Sequence, residues 1–454
     1  MSKNKYLILD VYPNDNWRIC KDTAGGYGTG NDFGNSFFAK ILNVFTNSQI
    51  HQPAMYIGYL LSIIKNNGSE IEYINKIDKK KISEADFVIL PSSIVAHETE
   101  IQTLKYLNEI KKKTFVTGIF ANVKKEKYLT DQSIVINGEP EKFFIDFGKL
   151  ENTDEYFLNN SGKEISVGFV DDLDTLPFPD WEMYNKIKTL KNNFLDFDFK
   201  VAIPLLATRG CPYSCFNYCT YPLQQGRKVR ARSPKNIVEE IEHWSKIFKK
   251  PKFVFRDPVF SINRKHTKEL CELIISKNLK ISFLIETHLK NCDDELISLL
   301  KNAGLKLIYV GVESKHADVL KDIKRQTISE DDQYKIIEKL EKNNITVKSM
   351  FMIGNPEDTD EKVYESISYS KFLKNKLVQF SVFTPYPGTP IFDTYENIII
   401  ENKLEKYNQY NLVFKHKYFD NSHVIKLKNQ AYRSFYLSFK SINILFLFFK
   451  NIIR

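Results

Sequence analysis

The sequence predicts an α/β protein of two successive units, a doubly wound parallel sheet followed by a partial parallel (β/α)6 barrel, with a helical segment at the C-terminus. Three observations predict this fold. The chain has 454 residues, which is enough for two or three domains. Strand and helix patterns alternate through the first 150 residues, and a second alternating series begins near residue 200.

The composition is that of a globular protein and excludes several classes. Hydrophobic residues make up 43% and charged residues 27% of the chain, which is too apolar for a disordered protein. The net charge of +9 is spread over short lysine clusters, so no nucleic-acid partner is expected. Six cysteines are too few for a disulfide-rich secreted fold, and we expect a cytoplasmic protein whose thiols stay reduced.

The first unit is predicted from short apolar runs separated by helical apolar spacing. Strands are predicted at residues 6–11, 70–74, 87–90 and 115–117. Helices are predicted at residues 55–65 and 98–111. Ligands of such a sheet bind beyond the carboxyl ends of its strands. There the sequence places small or polar residues, namely Ser92, Ser93, Gly118, Asn137, Gly138 and Glu139.

A glycine-rich segment, residues 25–30, invites a dinucleotide-binding interpretation, but it does not meet the requirements. Gly26 and Gly28 would require a third glycine at position 31, which is Asn31, and no strand directly precedes the segment. Two interpretations remain open: a flexible loop that covers a ligand, and a purely structural turn.

Residues 151–200 are predicted to connect the two units. Residues 159–162 are typical turn material, and residues 176–181 form a proline-stiffened extended strap. The domain limits that follow are 1–165 for a Rossmann-type first unit, 166–200 for the connector, 201–400 for the barrel and 401–454 for a helical extension. An apolar run at residues 442–449 is expected to dock on the body, and contact with a membrane surface is the less favoured alternative.

The second unit is predicted from six further strands with helices between them. The strands are expected at residues 201–208, 252–255, 281–286, 307–312, 346–353 and 378–383. The helix at residues 234–247 has Ser233 as its N-cap and Pro234 in its first turn. In parallel barrels the chemistry takes place at the carboxyl ends of the strands.

Three of the six cysteines, Cys211, Cys215 and Cys219, follow the first strand of this series within nine positions. Such soft thiolates bind zinc or iron–sulfur clusters. A structural zinc site would need a fourth ligand, and the other cysteines are isolated in the sequence. Cys271, for example, belongs to an apolar helix and is predicted to be a core residue. Three cysteines therefore predict a 4Fe–4S cluster with one open iron, which is typical of a catalytic cluster.

Other motifs follow these cysteines in a recognisable order. Tyr218 directly precedes Cys219, and Gly311-Val312-Glu313-Ser314, residues 354–359 and residues 384–390 come later in the chain. In the first half, Val116-Thr117-Gly118 and Gly138-Glu139-Pro140-Glu141 belong to the same pattern. Over about residues 1–430 the chain resembles the radical S-adenosylmethionine (radical SAM) enzymes that carry an N-terminal cobalamin-binding domain. Their usual cysteine loop has one residue fewer between the last two cysteines, so the present loop is a departure from the pattern.

The resemblance implies cofactors and roles. Cys211, Cys215 and Cys219 would hold a 4Fe–4S cluster, and S-adenosylmethionine would bind the open iron and yield a 5′-deoxyadenosyl radical. Cobalamin would supply a methyl group for C-methylation or take part in a related rearrangement. Residues implied in binding S-adenosylmethionine are Tyr218, Glu286, Glu313, Ser314, Gly354 and Pro385, and those implied in binding cobalamin are Ser92, Gly118, Gly138 and Glu139. Partners would be a small-molecule or carrier-bound substrate and an electron donor such as flavodoxin or ferredoxin.

Several alternatives stay open at this point. Glu286 and Asp257 could instead form salt bridges with barrel lysines. Arg209 could balance the charge of the cluster or cap a turn. The whole protein could be a radical enzyme that works without cobalamin and whose first unit binds substrate or a carrier. It could also be an iron–sulfur redox or sensing module without catalysis.

Overall fold

The structure of the chain is a computed structural model that describes residues 4–13, 18–31, 37, 40, 53–182 and 202–438. Within these residues it contains two six-stranded parallel sheets and two short antiparallel strand pairs. Helices pack around the strands. The α/β fold class predicted from the sequence is confirmed.

The first sheet is built from six parallel strands in the order β4-β1-β5-β6-β7-β8. Its strands are β1 (Lys5–Leu9), β4 (Glu70–Ile74), β5 (Phe87–Pro91), β6 (Thr114–Thr117), β7 (Ser133–Gly138) and β8 (Glu164–Gly168), and a hairpin after β1 adds β2 (Arg18–Cys20) and β3 (Thr29–Asn31). Its helices are α1 (Tyr56–Asn66), α2 (Lys79–Glu84), α3 (His97–Glu109), α4 (Ile119–Val123), α5 (Pro140–Phe147) and α6 (Thr153–Asn160). The strand order reverses between β1 and β5, which makes that position the topological switch point of the sheet.

The second sheet is also parallel, and its strands follow one another in chain order. They are β9 (Ala202–Leu205), β12 (Lys252–Phe255), β13 (Ser282–Thr287), β14 (Leu305–Glu313), β15 (Thr346–Ile353) and β16 (Leu377–Val382). The helices that follow them are α8 (Pro234–Ile247), α9 (Arg264–Ser276), α10 (Asp294–Ala303), α11 (Ala317–Asp322), α12 (Glu330–Lys342) and α13 (Asp360–Phe372). Among the described residues β16 does not pair with β9, so the sheet is a partial barrel.

Further elements follow the first and the last strands of the barrel. After β9 the chain forms the strand pair β10 (Thr208–Arg209) and β11 (Arg230–Ala231), with α7 (Tyr221–Gln225) between them, and after β16 it forms α14 (Pro390–Tyr395) and α15 (Asn421–Tyr436). Tyr432 and Tyr436 of α15 each use the phenol oxygen to bond both the N–H and the C=O of one β16 residue, Phe380 and Val378 respectively. The helix therefore satisfies the open edge of the last strand.

The interior of the barrel has two levels. Alternate residues of β15, among them Val347 and Phe351, are buried against the helices, while Lys348 and Met350 are half-buried on the other face. On that inner face a separate apolar cluster of Val254, Leu284, Leu307 and Leu377 fills the space between four strands. Glu286 and Glu313 lie beyond this cluster, toward the carboxyl ends of β13 and β14.

The structure corrects two boundaries. The sequence pattern predicts a connector at residues 151–200, whereas α6 and β8 belong to the first unit and β8 pairs with its sheet. The pattern was missed because β8 is an edge strand whose residues are exposed or half-buried, so it lacks the apolar run of a central strand. The strand predicted at 201–208 ends at Leu205, and Thr208 pairs with β11 instead. The domain limits themselves stay predictions.

None of the helices in the described part of the chain is both long enough and apolar enough to span a bilayer. The apolar run at 442–449 lies outside the described residues.

Candidate functional site

The cysteine loop leaves the carboxyl end of the first barrel strand and is held against α7. Gly210 has a φ of +96°, and a Cβ there would lie 2.1 Å from the Lys228 carbonyl oxygen, so only glycine fits. The Cys211 N–H donates to the Gly226 carbonyl at 3.1 Å. A 3-10 turn, Ser214–Asn217, follows, and the Cys215 carbonyl accepts the N–H groups of both Tyr218 and Cys219. This turn accommodates the extra residue between Cys215 and Cys219.

The three thiols differ in their electrostatic surroundings. Cys211 and Cys215 are buried and Cys219 is half-buried. A hydrogen bond between the Cys215 and Cys219 thiols, together with the nearby Arg325, lowers the pKa of Cys215 to about 6. The same bond and burial raise the pKa of Cys219, and burial raises that of Cys211. The loop therefore already stabilises one thiolate next to a guanidinium.

The donor set fits an iron–sulfur cluster. Among the described residues no three His, Cys, Asp or Glu side chains are close enough to hold one metal ion between them. A 4Fe–4S cluster makes a different demand, because each thiolate binds a different iron. Three soft thiol ligands on one loop satisfy three irons and leave the fourth for another ligand.

Arg325 is the residue at this site that sequence reasoning missed. Its guanidinium donates to the Gly311 carbonyl at 3.1 Å, lies 3.6 Å from the Glu313 carboxylate and hydrogen-bonds the Cys215 thiol. Glu313 has a φ of +65° beside an irregularity in the β14–β15 register. A Cβ on Gly311 would lie 2.3 Å from the Glu313 carboxylate, so the Gly-Val-Glu-Ser sequence makes room for this ion pair. A buried strand-end glutamate is a sign that a cation lies nearby, but the sequence does not say which one.

Two carboxylates predicted to matter have different surroundings. Asp257 accepts hydrogen bonds from the Ala207 N–H at 3.1 Å and from the Thr208 hydroxyl at 2.7 Å, so it anchors the chain just before the cysteine loop. Glu286 is engaged by no hydrogen bond or ion pair through its carboxylate within the part of the chain that the structure describes. Burial raises the pKa of Glu286 to about 7, although Arg256 opposes the shift. Neither residue forms the lysine salt bridge that the sequence left open.

Three other predicted residues lie in different surroundings. The Ser314 hydroxyl accepts the His316 N–H and lies 3.4 Å from the Ser366 hydroxyl, on the side of α13. Gly354 has Leu412 and Val424 as its neighbours. Pro385 lies in the loop after β16. Of the residues expected to bind S-adenosylmethionine, the structure brings together Tyr218, Glu286 and Glu313. All three are close enough to Arg325 for its positive charge to lower their pKa values, against the effect of burial.

A cleft of about 730 Å³, part of it open to solvent, separates the carboxyl ends of the two sheets. Gly118, Gly138 and Glu139 line it from the first unit, and α7 lines it from the second. Ser92 supports the wall of the cleft, because its hydroxyl donates to the Gly118 carbonyl at 3.1 Å and accepts the Ala121 N–H at 2.9 Å.

Two of the polar atoms of the cleft residues, Asn122 Oδ1 and Glu141 Oε2, are buried and have no hydrogen-bond partner among the described residues. Unsatisfied buried acceptors of this kind are rare and are often explained by a ligand. The cleft therefore fits a cofactor that carries hydrogen-bond donors.

Buried ion pairs join the two units beside the cleft. Arg209 lies 3.1 Å from the Glu139 carboxylate and 2.8 Å from the Glu141 carboxylate, and Arg230 lies 2.7 Å from Glu139. Burial alone would raise the pKa of Glu139, but the two arginines lower it, whereas burial raises that of Glu141. Arg209 also lies 5.2 Å from the Tyr59 ring. Arg209 thus connects the units, a role that neither earlier interpretation included.

The glycine-rich segment is a structural junction between the units. A Cβ on Gly25 would lie 2.6 Å from the Thr220 main chain, and the Thr220 hydroxyl donates to the Ala24 carbonyl. The Tyr27 hydroxyl donates to the Pro387 carbonyl at 2.6 Å. The segment touches the loops that follow both the first and the last barrel strands, which favours the structural interpretation over a mobile cover.

Comparison with known proteins agrees with this geometry. Residues 205–369 match the family model of the radical SAM superfamily. An uncharacterized methyltransferase of Pyrococcus horikoshii is 27% identical over 272 residues, which is 59% of this chain and 57% of that protein. The anaerobic magnesium-protoporphyrin IX monomethyl ester cyclase of Cereibacter sphaeroides is 27% identical over 429 residues, which is 85% of this chain and 67% of that protein. The chain thus spans between about half and two thirds of these curated relatives.

Two solved structures share the two-unit fold. The radical S-adenosylmethionine methyltransferase TsrM of Kitasatospora setae, with cobalamin and a 4Fe–4S cluster bound, matches with a TM-score of 0.59 and 13% identity, over 87% of this chain and 78% of that one. The cobalamin-dependent S-adenosylmethionine radical enzyme OxsB, with aqua-cobalamin bound, matches with a TM-score of 0.66 and 14% identity, over 93% of this chain and 66% of that one.

The match to the radical SAM superfamily model covers the three-cysteine loop and strands β12 to β15 of the partial barrel. Over both units the fold of the chain resembles that of TsrM and OxsB.

Replacing Glu286 by Gln is expected to stabilise the ligand-free protein at alkaline pH. The pKa of Glu286 is raised from 4.5 to about 7, so the folded state holds a proton that the unfolded state has lost, and the carboxylate costs stability as the pH rises. Glu286→Gln should raise the free energy of unfolding at pH 8 by up to about 3 kcal/mol, and the gain should vanish near pH 4.5. Urea titrations at several pH values measure it.

The matched control is Glu109→Gln at the exposed end of α3, which should leave the free energy of unfolding at pH 8 unchanged because the side chain is exposed to solvent. Equal stability of wild type and Glu286→Gln at pH 8 would contradict the raised pKa.

Proposed function

We propose that the chain is a cobalamin-dependent radical SAM enzyme that methylates an unactivated carbon of a small-molecule or carrier-bound substrate. The observation that carries the proposal is the position of the cysteine loop. The loop lies at the open end of the barrel, and α7, which directly follows Cys219, lines the cleft toward the first unit. The cluster site at the cysteine loop and the cobalamin site in the cleft would therefore lie on either side of the short helix α7.

The barrel residues would position S-adenosylmethionine. When bound, the cluster supplies the electron that cleaves S-adenosylmethionine into methionine and a 5′-deoxyadenosyl radical. The Glu286 carboxylate, which has no partner among the described residues, would accept hydrogen bonds from an ammonium group. Arg325 lies between the Cys215 thiol and Glu313 and would pair with a carboxylate. The apolar inner cluster below them would keep water away from the radical.

The cleft residues would hold cobalamin, which supplies the methyl group to be transferred. Gly118 and Gly138 have φ values of +102° and +113° at the carboxyl ends of β6 and β7. A Cβ would lie 2.7 Å from the Ser92 carbonyl oxygen at Gly118 and 2.4 Å from the Gly168 carbonyl oxygen at Gly138, so glycine lets these strand ends pack closely at the edge of the cleft. Asn122 Oδ1, unsatisfied among the described residues, would accept a hydrogen bond from an amide of the cofactor. The arginine–glutamate pairs beside the cleft would fix the distance between the two cofactors.

The names of the relatives support methylation as the reaction and suggest ring formation as a second candidate. The Pyrococcus horikoshii relative and TsrM are both named methyltransferases. The Cereibacter sphaeroides relative, which matches over 85% of this chain, is named a cyclase, so ring formation by the same radical is the second candidate. Fold alone does not choose between these outcomes.

The test is anaerobic reconstitution of the full chain with iron and sulfide, with hydroxocobalamin supplied. We expect 5′-deoxyadenosine from S-adenosylmethionine with a low-potential reductant, together with corrinoid absorbance that stays with the protein through gel filtration. Absence of 5′-deoxyadenosine with every reductant would favour an iron–sulfur sensing module. Radical formation without any corrinoid affinity would instead leave a radical enzyme whose first unit binds something else.

The outer face of the cysteine loop is basic, because Arg227, Lys228, Lys290 and Lys324 are exposed on it or beside it. Arg227 donates to the carbonyls of Pro212 and Tyr213, and the Lys290 ammonium lies 4.6 Å from the Tyr213 ring. The Ser214 hydroxyl donates to the Lys324 carbonyl at 3.1 Å. We propose that an acidic flavodoxin or ferredoxin docks here, in a cytoplasm that keeps the thiols reduced.

A triple charge reversal tests this surface. Lys228, Lys290 and Lys324 are exposed, and changing all three to Glu should slow radical formation about tenfold with reduced flavodoxin, because steering of the acidic donor is lost. The rate with dithionite should not change. The control reverses Lys76, Lys79 and Lys105, exposed on the first unit, and should leave both rates intact. A flavodoxin-driven rate that survives the loop reversals would place the donor elsewhere.

A further inference from the structure

Arg256 places a guanidinium where the cleft meets the interior of the barrel. The residue directly follows β12, at the carboxyl end of that strand, and it lines the cleft from the barrel side. Its positive charge also reaches Glu286 on the neighbouring strand β13 and opposes the rise in the pKa of that carboxyl. Arg256 thus lies between the cleft proposed for cobalamin and the carboxylate proposed to bind S-adenosylmethionine.

Asp22 of the first unit holds one edge of this guanidinium. Arg256 Nε donates to one oxygen of the Asp22 carboxylate at 2.6 Å, and Nη2 donates to the Asp22 main-chain carbonyl at 3.1 Å. The other oxygen of the Asp22 carboxylate accepts the Met55 N–H at 2.9 Å. Asp22 is itself buried. Two contacts from one buried residue therefore fix the orientation of the guanidinium.

The opposite edge of the guanidinium is available to a ligand. A guanidinium has five N–H donors, and the contacts with Asp22 use two of them. Nη1 donates to none of the described residues, and 13% of the Arg256 side-chain surface is exposed. Tyr221, the first residue of α7, lines the same cleft close to Arg256, and its hydroxyl has no partner in the described part of the chain. Neither the Nη1 group nor this hydroxyl is enclosed, so both can donate into the cleft.

A carboxylate is the group that such an edge recognises best. Two N–H groups on one edge of a guanidinium match the two oxygens of a carboxylate, and a charge-assisted pair of this kind is stronger than a bond between neutral groups. The proposed function already pairs the ammonium and carboxylate of S-adenosylmethionine with Glu286 and Arg325. The charge of Arg256 on its cleft edge is therefore left for another anion.

We propose that Arg256 and Tyr221 form a subsite for a carboxylate of the substrate, which makes the substrate an organic acid. Met55 and Leu206 line the same cleft and offer apolar contacts to its carbon skeleton. A molecule held by its carboxylate at this boundary has both proposed cofactors within reach, which the transfer of a methyl group to a substrate radical requires. The inference rests on the proposed function and adds the substrate class to it.

The test uses benzoate as the probe and benzamide as its neutral counterpart of the same shape. The ligand-free full chain is titrated with each at constant ionic strength, and binding is followed by ligand-observed NMR. We expect benzoate to bind about tenfold more tightly than benzamide, because only the carboxylate forms the charge-assisted pair. Equal binding of the two, or no binding of benzoate, would overturn the inference. The proposed function would then still stand on its own test, which measures 5′-deoxyadenosine and corrinoid.

Two variants locate the probe. Arg256→Lys keeps a cation beside Asp22 but lacks the planar fork, and it should weaken benzoate binding about fivefold or more. Tyr221→Phe leaves the contact between Arg256 and Asp22 in place and should weaken benzoate binding about threefold. The matched control is Arg264→Lys, at an exposed arginine paired with Asp293 and Glu295, which should bind benzoate like wild type. Wild-type affinity in both cleft variants would overturn the inference.

A further arm separates the substrate from the cofactors. The benzoate titration is repeated with hydroxocobalamin at saturation and, after reconstitution with iron and sulfide, with S-adenosylmethionine. We expect benzoate to bind in the presence of both. Displacement by either would assign Arg256 to that cofactor, and would overturn the inference while the proposed function stands. Benzoate binding through Arg256 in a chain that neither binds corrinoid nor yields 5′-deoxyadenosine would refute the proposed function and, with it, the assignment of the carboxylate to a substrate.

Discussion

Cys215→Ala is expected to abolish 5′-deoxyadenosine formation. Cys215 is the thiol whose pKa is lowered to about 6, and its carbonyl holds the turn that carries Cys219. Alanine keeps the turn but removes one of the three proposed iron ligands, and we expect that the two remaining thiols would not retain a cluster that already has an open iron. Iron and sulfide content after reconstitution should fall sharply, the cluster EPR signal should be lost, and the product should be below detection.

Cys271→Ala provides a matched control, because Cys271 is a fully buried cysteine of α9 in the apolar core. It should keep full cluster content and activity at a small cost in stability. Wild-type turnover in Cys215→Ala would refute the assignment of the cluster to this loop.

The second large effect is expected on stability. Arg209→Met should lower the free energy of unfolding by about 3–5 kcal/mol, because it leaves buried carboxylates without their cation. Glu139 would still be paired with Arg230, so most of the loss should come from Glu141. One oxygen of the Glu141 carboxylate already lacks a hydrogen-bond partner among the described residues. Urea unfolding followed by tryptophan fluorescence measures the loss.

The pH dependence of this defect has a definite sign. Burial raises the pKa of Glu141, and without Arg209 the folded state would prefer the protonated acid more strongly. An acid whose folded pKa lies above its unfolded pKa costs stability as the pH rises. The defect of Arg209→Met should therefore be larger at pH 8 than at pH 5, and Glu141→Gln in the same chain should restore most of the loss.

An exposed ion pair supplies the control. Lys149 pairs with Asp146 on the surface, and Lys149→Met should cost less than about 1 kcal/mol. If Arg209→Met lost no more stability than Lys149→Met, the buried pairs would not hold the units together.

The sequence predicted the repeating architecture well, because buried parallel strands have a clear apolar pattern. β4, β12 and β15 begin and end where the pattern placed them. It failed at β8, whose residues are exposed or half-buried and lack that pattern. It also ended β9 too late, since the pairing of Thr208 with β11 is a long-range contact that no local spacing encodes.

In the candidate site, too, local motifs were predicted from the sequence and long-range contacts were not. The cysteines and the Gly-Val-Glu-Ser segment are contiguous motifs, so the sequence displays them directly. Arg325 reaches Glu313 and Cys215 from the segment after α11, and Arg209 reaches Glu139 from another unit. Such pairings depend on the tertiary fold. Nothing in the local sequence distinguishes Arg325 from other basic residues, and the position of Arg209 before the cysteine loop does not indicate that it pairs with Glu139.

Residues 22–28, which overlap the glycine-rich segment, form a junction between the units that limits where this chain can be divided. β9 and β16 remain unpaired with each other in the described part of the structure, and this junction bridges the seam through Thr220, Arg256 and Pro387. A catalytic half produced alone from residue 202 onward would expose that seam and the arginines that now meet Glu139. Truncation, domain exchange or fusion at the connector should therefore yield aggregates. The two units have to be expressed together as one folding unit.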